Sequence, residues 1–497
     1  VTIREISRAG NPFRASGKGL PATLVEMLRG QVQARPDDEA VVELGGGRLT
    51  YQQLWDSAAR VAGGLVAAGV QPGDRVAVRY PAGLDWVLAF WGTVMAGGVA
   101  VAVNTRSAPP EVDFVLADAG ATLDLAPGTP LPDGEPYVAE HLSSDDVAAL
   151  FYTSGTTGKP KGVPTTHEAF MTNAENVVQC VGLADAVGLR TLISVPLFHV
   201  TGCNTQLLVA AYTGGAAVIM PTLNLPELIN TLAAERISLM VTVPAIYALM
   251  LRHPDFAGAD VSGVRFVGYG GAPIAATLVG ALKAAFPAAQ VFNGYGMTET
   301  SSLLTLLPDS DAVEHADSVG YAVPSVELGI SQLDGDPDVG ELVARGANVI
   351  THYWNRPEAD ATTIVDGWLH TGDVVRVDDA GRVHVVDRMK DIIIRGGENI
   401  SSIEVESALA DAPGVLEVAV LAVPDEVMGE KVGAVLCGAE GAVIDIAAVL
   451  EHGSARLADF KLPQYVSVST VPLPRNAGGK LLKGQLRDSV QWGAPVR

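Results

Sequence analysis

The chain has 497 residues, a formal net charge of −23 at pH 7, 48% hydrophobic residues and 18% charged ones. That length exceeds what a single hydrophobic core supports, so two or more domains are expected. The composition excludes a disordered chain, and the acidic balance argues against a nucleic-acid or anionic-lipid binder.

Near the start, residues 1–20 mix charge, Gly and Pro and carry no apolar run of secretory type. Residues 49–70 have apolar side chains at helical spacing up to Gly69, and residues 73–80 follow as a strand. The uncharged stretch Trp86 to Val103 has the length of a membrane span. Gly97-Gly98 splits it, however, into a helix and a buried strand. A second uncharged stretch, Thr191 to Pro226, holds no Asp, Glu, Lys or Arg and is cut by Pro196, Gly202, Gly214-Gly215 and Pro221. Residues 231–251 read as helix, strand and a helix opened by Pro244, and residues 261–273 as a strand ending in a Gly-rich turn. Such alternation predicts an α/β fold of helix-covered sheets with no integral membrane segment. Near residue 390 the pattern changes to charged strands and short helices. We therefore expect a large domain over 1–389 and a small C-terminal α+β domain over 390–497. Cys180, Cys203 and Cys437 lie far apart with no CxxC spacing, which fits a reducing, cytoplasmic setting without disulfides or structural zinc.

The densest chemical signal is Tyr152 to Gly162, YTSGTTGKPKG. Gly155, Gly158 and Gly162 let the backbone turn tightly and approach an anion. Thr153, Ser154, Thr156 and Thr157 add hydroxyls, and Lys159 and Lys161 add charge, a combination suited to a triphosphate. It is not the GxxxxGK[ST] loop, because two residues separate Gly155 from Gly158 and Pro160 follows Lys159.

This string resembles the signature of the adenylate-forming superfamily of acyl- and aryl-CoA synthetases, luciferases and peptide-synthetase adenylation domains. Further matches follow in the family's order: Pro196 to Gly202 (PLFHVTG), Gly294 to Glu299 (GYGMTE), Gly340 to Gly346 (GELVARG), His370 to Asp373 (HTGD), Asp387 to Asp391 (DRMKD) and Pro474 to Lys480 (PRNAGGK). The resemblance implies a large domain that includes a small distorted barrel, joined to a small mobile lid domain. It also implies ATP and CoA as co-substrates, a carboxylic acid as substrate, and Mg2+. A homodimer is one assembly compatible with it.

Site residues carried over from the resemblance begin with an adenine pocket. Gly271, Ala272 and Pro273 form one wall, and Asn293, Gly294, Tyr295, Gly296 and Met297 the other, with the Tyr295 ring face left open by its flanking glycines for stacking. Thr298 is expected to hydrogen-bond phosphate, and Glu299, with Thr153, to hold magnesium, a hard cation that takes one or two carboxylates plus phosphate oxygens. Asp373 and Arg388 are expected at the ribose. An isolated TGD is more often an ordinary turn, so that assignment rests on the family. Lys480, after Gly478-Gly479, is expected to bridge the substrate carboxylate and the α-phosphate as the catalytic cation. Lys390 is the expected hinge, and Arg395, Gly396, Gly397 and Glu398 the CoA-side face.

For the acid, His199, Val200, Val243, Tyr247, Gly268, Tyr269, Gly270 and Met297 are expected to line the pocket. His199 stands where amino-acid-activating relatives carry Asp, which argues against an amino acid. A buried second carboxylate would need a cation, and Thr191 to Pro226 offers none. A medium- or long-chain fatty acid is therefore expected, with an aryl acid as the alternative. Two other readings are an acyl-AMP ligase serving a carrier protein and a non-catalytic nucleotide or acyl binder. The binder would be expected to lack Lys480, Glu299 or Asp373, and all three are present.

Overall fold

The computed structural model describes residues 3–153, 160–186, 188–332, 338–396, 398–438, 444–475 and 481–497. The phosphate-string residues Ser154, Gly155, Thr156, Thr157, Gly158 and Lys159, the CoA-side Gly397 and the catalytic candidate Lys480 lie outside the described residues.

Helical periodicity and capping define the first layer. The helix Tyr51–Ala67 opens on a capping box in which Thr50 accepts from the Gln53 amide and Gln53 answers to the Thr50 amide, filling two donors that a helix start leaves empty. The apolar stretch from Trp86 resolves into the helix Leu84–Met95 and the strand Val99–Ala102, turning at Gly97 with φ +76°. No described helix is long and apolar enough to cross a membrane.

A five-stranded sheet runs in the order Ala121–Leu125, Arg75–Val78, Val99–Ala102, Val147–Thr153, Lys161–Thr166. Its last pair is antiparallel and sets Thr153 opposite Lys161, so the phosphate string joins two neighbouring strands. A nine-stranded sheet beside it is parallel through its centre, where Gln290–Tyr295, Phe266–Gly270, Leu239–Thr242, Arg190–Ile193, Ala216–Ile219 and Glu39–Glu43 lie in that order. Parallel strands buried on both faces read as unbroken apolar runs, and each face here has its own core. Val241, Phe266 and Phe292 belong to one, and Met240, Val267 and Tyr269 to the other.

A six-stranded antiparallel sheet, built on Val326–Gln332, Val339–Gly346, Trp368–Val377 and Val383–Arg388, stands where the small barrel is expected. Strands from Ile393 onward form a separate five-stranded sheet over its own core of Ile393, Ile400, Val405, Val420 and Val432.

One buried histidine couples this architecture to pH. His167 begins the helix His167–Val181, is 2% exposed, and accepts the Leu24 amide on Nδ1 at 3.2 Å. Burial pulls its pKa from 6.5 down to about 4. The unfolded chain thus binds a proton that the folded one refuses, so stability present above pH 6.5 is lost as pH falls toward 4. The expected slope is about 1.4 kcal/mol per pH unit, read from urea unfolding at pH 5 and pH 7. His167→Asn keeps an acceptor without titrating and should flatten that slope.

Candidate active site

The mouth of the phosphate string is defined from three directions. Lys161 begins its strand with Nζ 3.9 Å from the centroid of the Tyr353 ring. The Tyr353 hydroxyl donates to Glu299 Oε1 at 2.9 Å. The Trp354 amide donates to Gly162 O, and the Ile350 amide to Glu299 O, each at 2.9 Å. The segment 350–354 is thereby sewn to the strand carrying Lys161 on one side and to the GYGMTE turn on the other. Glu299 is 7% exposed.

That turn is held in a conformation most side chains avoid. Ser301 and Ser302 have φ +54° and +122°, and backbone in such regions persists only where its surroundings fix it. The surroundings are buried asparagines. Asn204 donates to Ser301 O at 2.9 Å, and Asn348 to Thr300 O at 2.8 Å and Leu303 O at 2.9 Å. Asn173 Oδ1 accepts the Leu303 amide at 3.1 Å. A Cβ on Gly296 would sit 1.6 Å from Ser302 O, so only glycine fits there. Sequence reasoning missed all three asparagines. Each is an ordinary polar residue far from the motif, and only the fold brings them to it.

Ribose candidates meet across one ladder. Asp373 and Arg388 are register partners on antiparallel strands, with Arg388 Nε 3.2 Å from Asp373 Oδ1. Tyr295 donates its hydroxyl to Asp373 Oδ2 at 2.6 Å. Burial, with the Asp373 charge beside it, holds the phenol pKa well above its ordinary value, so it stays a donor. The expectation of an open Tyr295 is thus modified: the ring is half-buried and its hydroxyl is committed to the Asp373 carboxylate. Glu341 clamps the turn below. Its carboxylate accepts the Gly372 amide at 2.9 Å and lies 2.6 Å from His370 Nδ1. The ladder slips register between Glu341 and Val343, and such a bulge re-aims the side chains beside it. Neither Glu341 nor His370 was assigned a role from the sequence, although both lie inside quoted motifs. Asn293 also departs from expectation. Its buried amide reaches Ser318 O at 3.4 Å and tethers the 308–320 connection instead of standing open to a nucleotide. Gly271, with φ +74°, Ala272 and Pro273 follow the strand Phe266–Gly270 as a turn. Gly270 and Gly294 face one another in register, and a Cβ on Gly270 would meet Gly294 O at 2.3 Å.

The acid side carries two corrections. Tyr247 and Tyr269, expected in the pocket, are 0% and 1% exposed and belong to the core on the face of the nine-stranded sheet opposite Val241 and Phe292. Strand residues alternate faces: Val267 and Tyr269 go one way, Phe266 and Gly268 the other. The Tyr247 hydroxyl donates to Gly268 O at 2.9 Å. On the far side, a Cβ at Gly268 would lie 2.5 Å from Phe292 Cζ. Met297 is half-buried against the same core as Phe292, Val243 is half-buried, and Val200 is buried. His199 precedes a π-helical turn, Cys203–Leu207, a feature often placed at functional sites. Its Nε2 is buried and finds no hydrogen-bond partner among the described residues, and burial lowers its pKa to about 4.

Lys390 lies in a turn between the strand Val383–Arg388 of the six-stranded sheet and the strand Ile393–Arg395 of the C-terminal five-stranded one. Burial lowers its pKa. Asp387 accepts both the backbone and the side chain of Ser402, which in turn accepts Lys483 Nζ at 2.6 Å. Lys483 is paired with Glu406 at 2.7 Å, and burial raises the Glu406 and Asp387 pKa values. Arg395 donates to Phe460 O at 3.3 Å, the Gly396 amide donates to Met428 O at 2.8 Å, and Glu398 is exposed.

Comparison with known proteins gives this arrangement its context. The AMP-binding enzyme family matches residues 28–128 and 124–354, and the AMP-binding enzyme C-terminal domain matches 404–480. The chain belongs to the AMP-binding, adenylate-forming enzymes. A feruloyl-CoA synthase of Amycolatopsis sp is 38% identical over 90% of this chain and 95% of its own. The long-chain-fatty-acid–CoA ligase FadD13 of Mycobacterium tuberculosis is 35% identical over 95% and 98%. The o-succinylbenzoate CoA synthetase of Bacillus subtilis, solved with its acyl-adenylate, superposes with a TM-score of 0.85 at 29% identity, covering 94% of this chain and 99% of that one.

As an AMP-binding enzyme of this kind, the protein is an AMP-forming acid–CoA ligase with ATP and CoA as co-substrates. Its oxygen donors fit magnesium. Glu299 supplies a carboxylate whose Oε1, among the described residues, accepts from Tyr353, and the Thr153 hydroxyl, 3.5 Å from Lys161 O, keeps acceptor capacity. No group of three or more His, Cys, Asp or Glu among the described residues forms a separate metal cage. Magnesium that arrives with phosphate needs only one or two protein oxygens.

Proposed function

We propose that this AMP-binding enzyme activates a hydrophobic monocarboxylic acid, a medium- or long-chain fatty acid, as its acyl adenylate and transfers the acyl group to CoA. The observation that carries the acid class is His199. Burial keeps its imidazole neutral near neutral pH, within a stretch, Thr191 to Pro226, that has no Asp, Glu, Lys or Arg. A second carboxylate buried there would find no cation within that stretch to pair with.

In the first half-reaction a carboxylate oxygen attacks the α-phosphorus, and the bond to the bridging oxygen of pyrophosphate breaks. Lys161 and the phosphate string hold the leaving group, and Lys480 stabilises the charge gathered at the α-phosphate. Bound through Glu299 and Thr153, Mg2+ supplies further neutralisation of the phosphate oxygens. Asp373 and Arg388 fix the ribose, so that binding energy away from the reacting atoms orients them. In the second half-reaction the CoA sulfur adds to the acyl carbonyl and AMP leaves with the bonding pair. The small domain, 390–497, is expected to turn about Lys390 between the two steps and present Arg395 to Glu398.

A second reading, an aryl acid, is favoured by the Phe292 ring over Gly268, which shortens the space open to a chain. The feruloyl-CoA synthase relative is consistent with it. Pyrophosphate release and thioester mass should be measured with saturated acids of six to sixteen carbons and with benzoate and cinnamate derivatives, with and without CoA. Highest kcat/KM among saturated acids supports the first reading and among ring acids the second. Adenylate formation without thioester would point to a carrier-protein acceptor.

A further inference from the structure

From the Tyr353 contacts we infer that Tyr353 is a positioning residue for the triphosphate end of the site, setting the Glu299 carboxylate and the Lys161 ammonium in register before nucleotide binds. Three observations converge on it. Its hydroxyl donates to Glu299 Oε1 at 2.9 Å. Its ring lies under Lys161 Nζ, 3.9 Å from the centroid, a distance at which the quadrupole of the ring attracts the cation. Its own backbone is fixed, with the Tyr353 amide donating to Asp360 Oδ1 at 2.7 Å and the next amide, of Trp354, to Gly162 O at 2.9 Å.

The chemistry follows from geometry. A carboxylate has two oxygens and a free rotation about its last bond. Pinning Oε1 leaves Oε2 as the oxygen that can be offered outward, in a fixed direction. The same ring keeps Lys161 from folding onto that carboxylate, which would neutralise both groups and leave neither for a phosphate-bound ion. With one polar edge and one π face, a single tyrosine holds two opposite charges apart. Phenylalanine would supply the face alone, and a simple structural role would not need the hydroxyl. Its hydroxyl and its ring face engage Glu299 and Lys161, the two groups read as the phosphate end, so its influence should fall mainly on ligands that carry the β- and γ-phosphates.

This inference rests on the nucleotide reading of Glu299, and the test separates the two. MgATP and AMP binding to the full chain are measured by calorimetry for the parent, Tyr353→Phe, Glu299→Gln and the double variant. Loss of one hydrogen bond to a charged group should raise the Kd of MgATP about tenfold in Tyr353→Phe, with the Kd of AMP unchanged within about twofold. The double variant should bind MgATP no more weakly than Glu299→Gln alone, because the hydroxyl acts through that carboxylate. Tyr353→Leu, which also removes the ring, should weaken metal-free ATP as well. Equal loss for AMP and MgATP in Tyr353→Phe, no loss for either, or additive losses in the double variant would overturn the role of Tyr353. Unchanged MgATP binding in Glu299→Gln would instead overturn the reading of Glu299. Should Tyr353→Phe fail to fold, the comparison of MgATP with AMP in Tyr353→His decides the matter by the same criteria, and a parallel loss of both ligands again counts against the role.

Discussion

Replacing Lys480 by alanine is expected to lower the rate of acyl-adenylate formation by about 10²–10³-fold, the cost of removing one preorganised charge donor from a transition state. Attack on the α-phosphorus brings a carboxylate against a phosphate that is already anionic. Around it the chain is acidic, with 56 Asp and Glu against 33 Lys and Arg, so little background potential helps. The Asp373 and Arg388 charges already pair with one another, and Lys161 is held over Tyr353. Lys480 is thus the cation proposed for the reacting atoms themselves. Its proposed role belongs to the first half-reaction only. Pyrophosphate release should collapse in the variant, whereas thioester formation from a synthetic acyl adenylate and CoA should keep most of its rate. Equal loss in both assays would assign Lys480 to the fold of the small domain.

The second large effect is on stability. Lys483→Met is expected to destabilise the protein by about 3–5 kcal/mol at pH 7.5, because it strands a buried carboxylate. Lys483 and Glu406 have side chains 14% and 16% exposed, with Nζ and Oε1 2.7 Å apart. The same ammonium donates to Ser402, which donates to Asp387. Burial already raises the Glu406 and Asp387 pKa values, and the Lys483 charge opposes that rise. Without Lys483 the folded state takes up a proton that the unfolded chain does not hold. A raised folded pKa means that stability is present at low pH and lost as pH rises through it. The deficit relative to the parent should therefore be largest at pH 7.5 and shrink toward pH 5. Urea unfolding at the two values, with hydrogen exchange over residues 400–490, measures it. Glu406→Gln in the Lys483→Met background should recover part of the loss at pH 7.5.

The two ribose candidates are named from the sequence, and the fold brings them together. Asp373 and Arg388 stand fifteen positions apart in the sequence, and the resemblance named both. The fold adds that they are register partners on one ladder. The acid side was far less legible. In a parallel sheet apolar on both faces the hydrophobic run carries no polar alternation, so FVGYG does not tell which of Gly268 and Tyr269 faces the acid side. That ambiguity covers Tyr269; Tyr247, on the helix Pro244–Arg252, is expected in the pocket only because its segment is apolar and partly aromatic. Asn173, Asn204 and Asn348 escaped notice on different grounds. Their value lies in bonds spanning 45 to 130 residues of chain, and no local pattern encodes such pairings.

The committed state of Asp373 bears on turnover. Both of its oxygens are engaged by the protein itself, Oδ2 by Tyr295 and Oδ1 by Arg388. On the proposed ribose role of Asp373, incoming hydroxyls meet a carboxylate that already holds a donor on each oxygen and must share or displace them. The net gain is then smaller than the new hydrogen bonds alone suggest. On the same reading, Tyr295 and Arg388 are at hand to hold the carboxylate when AMP departs. A recognition element of this kind discriminates by fit while staying nearly level in free energy, and it lets an enzyme that must discard a nucleotide in every cycle avoid being held by its own product.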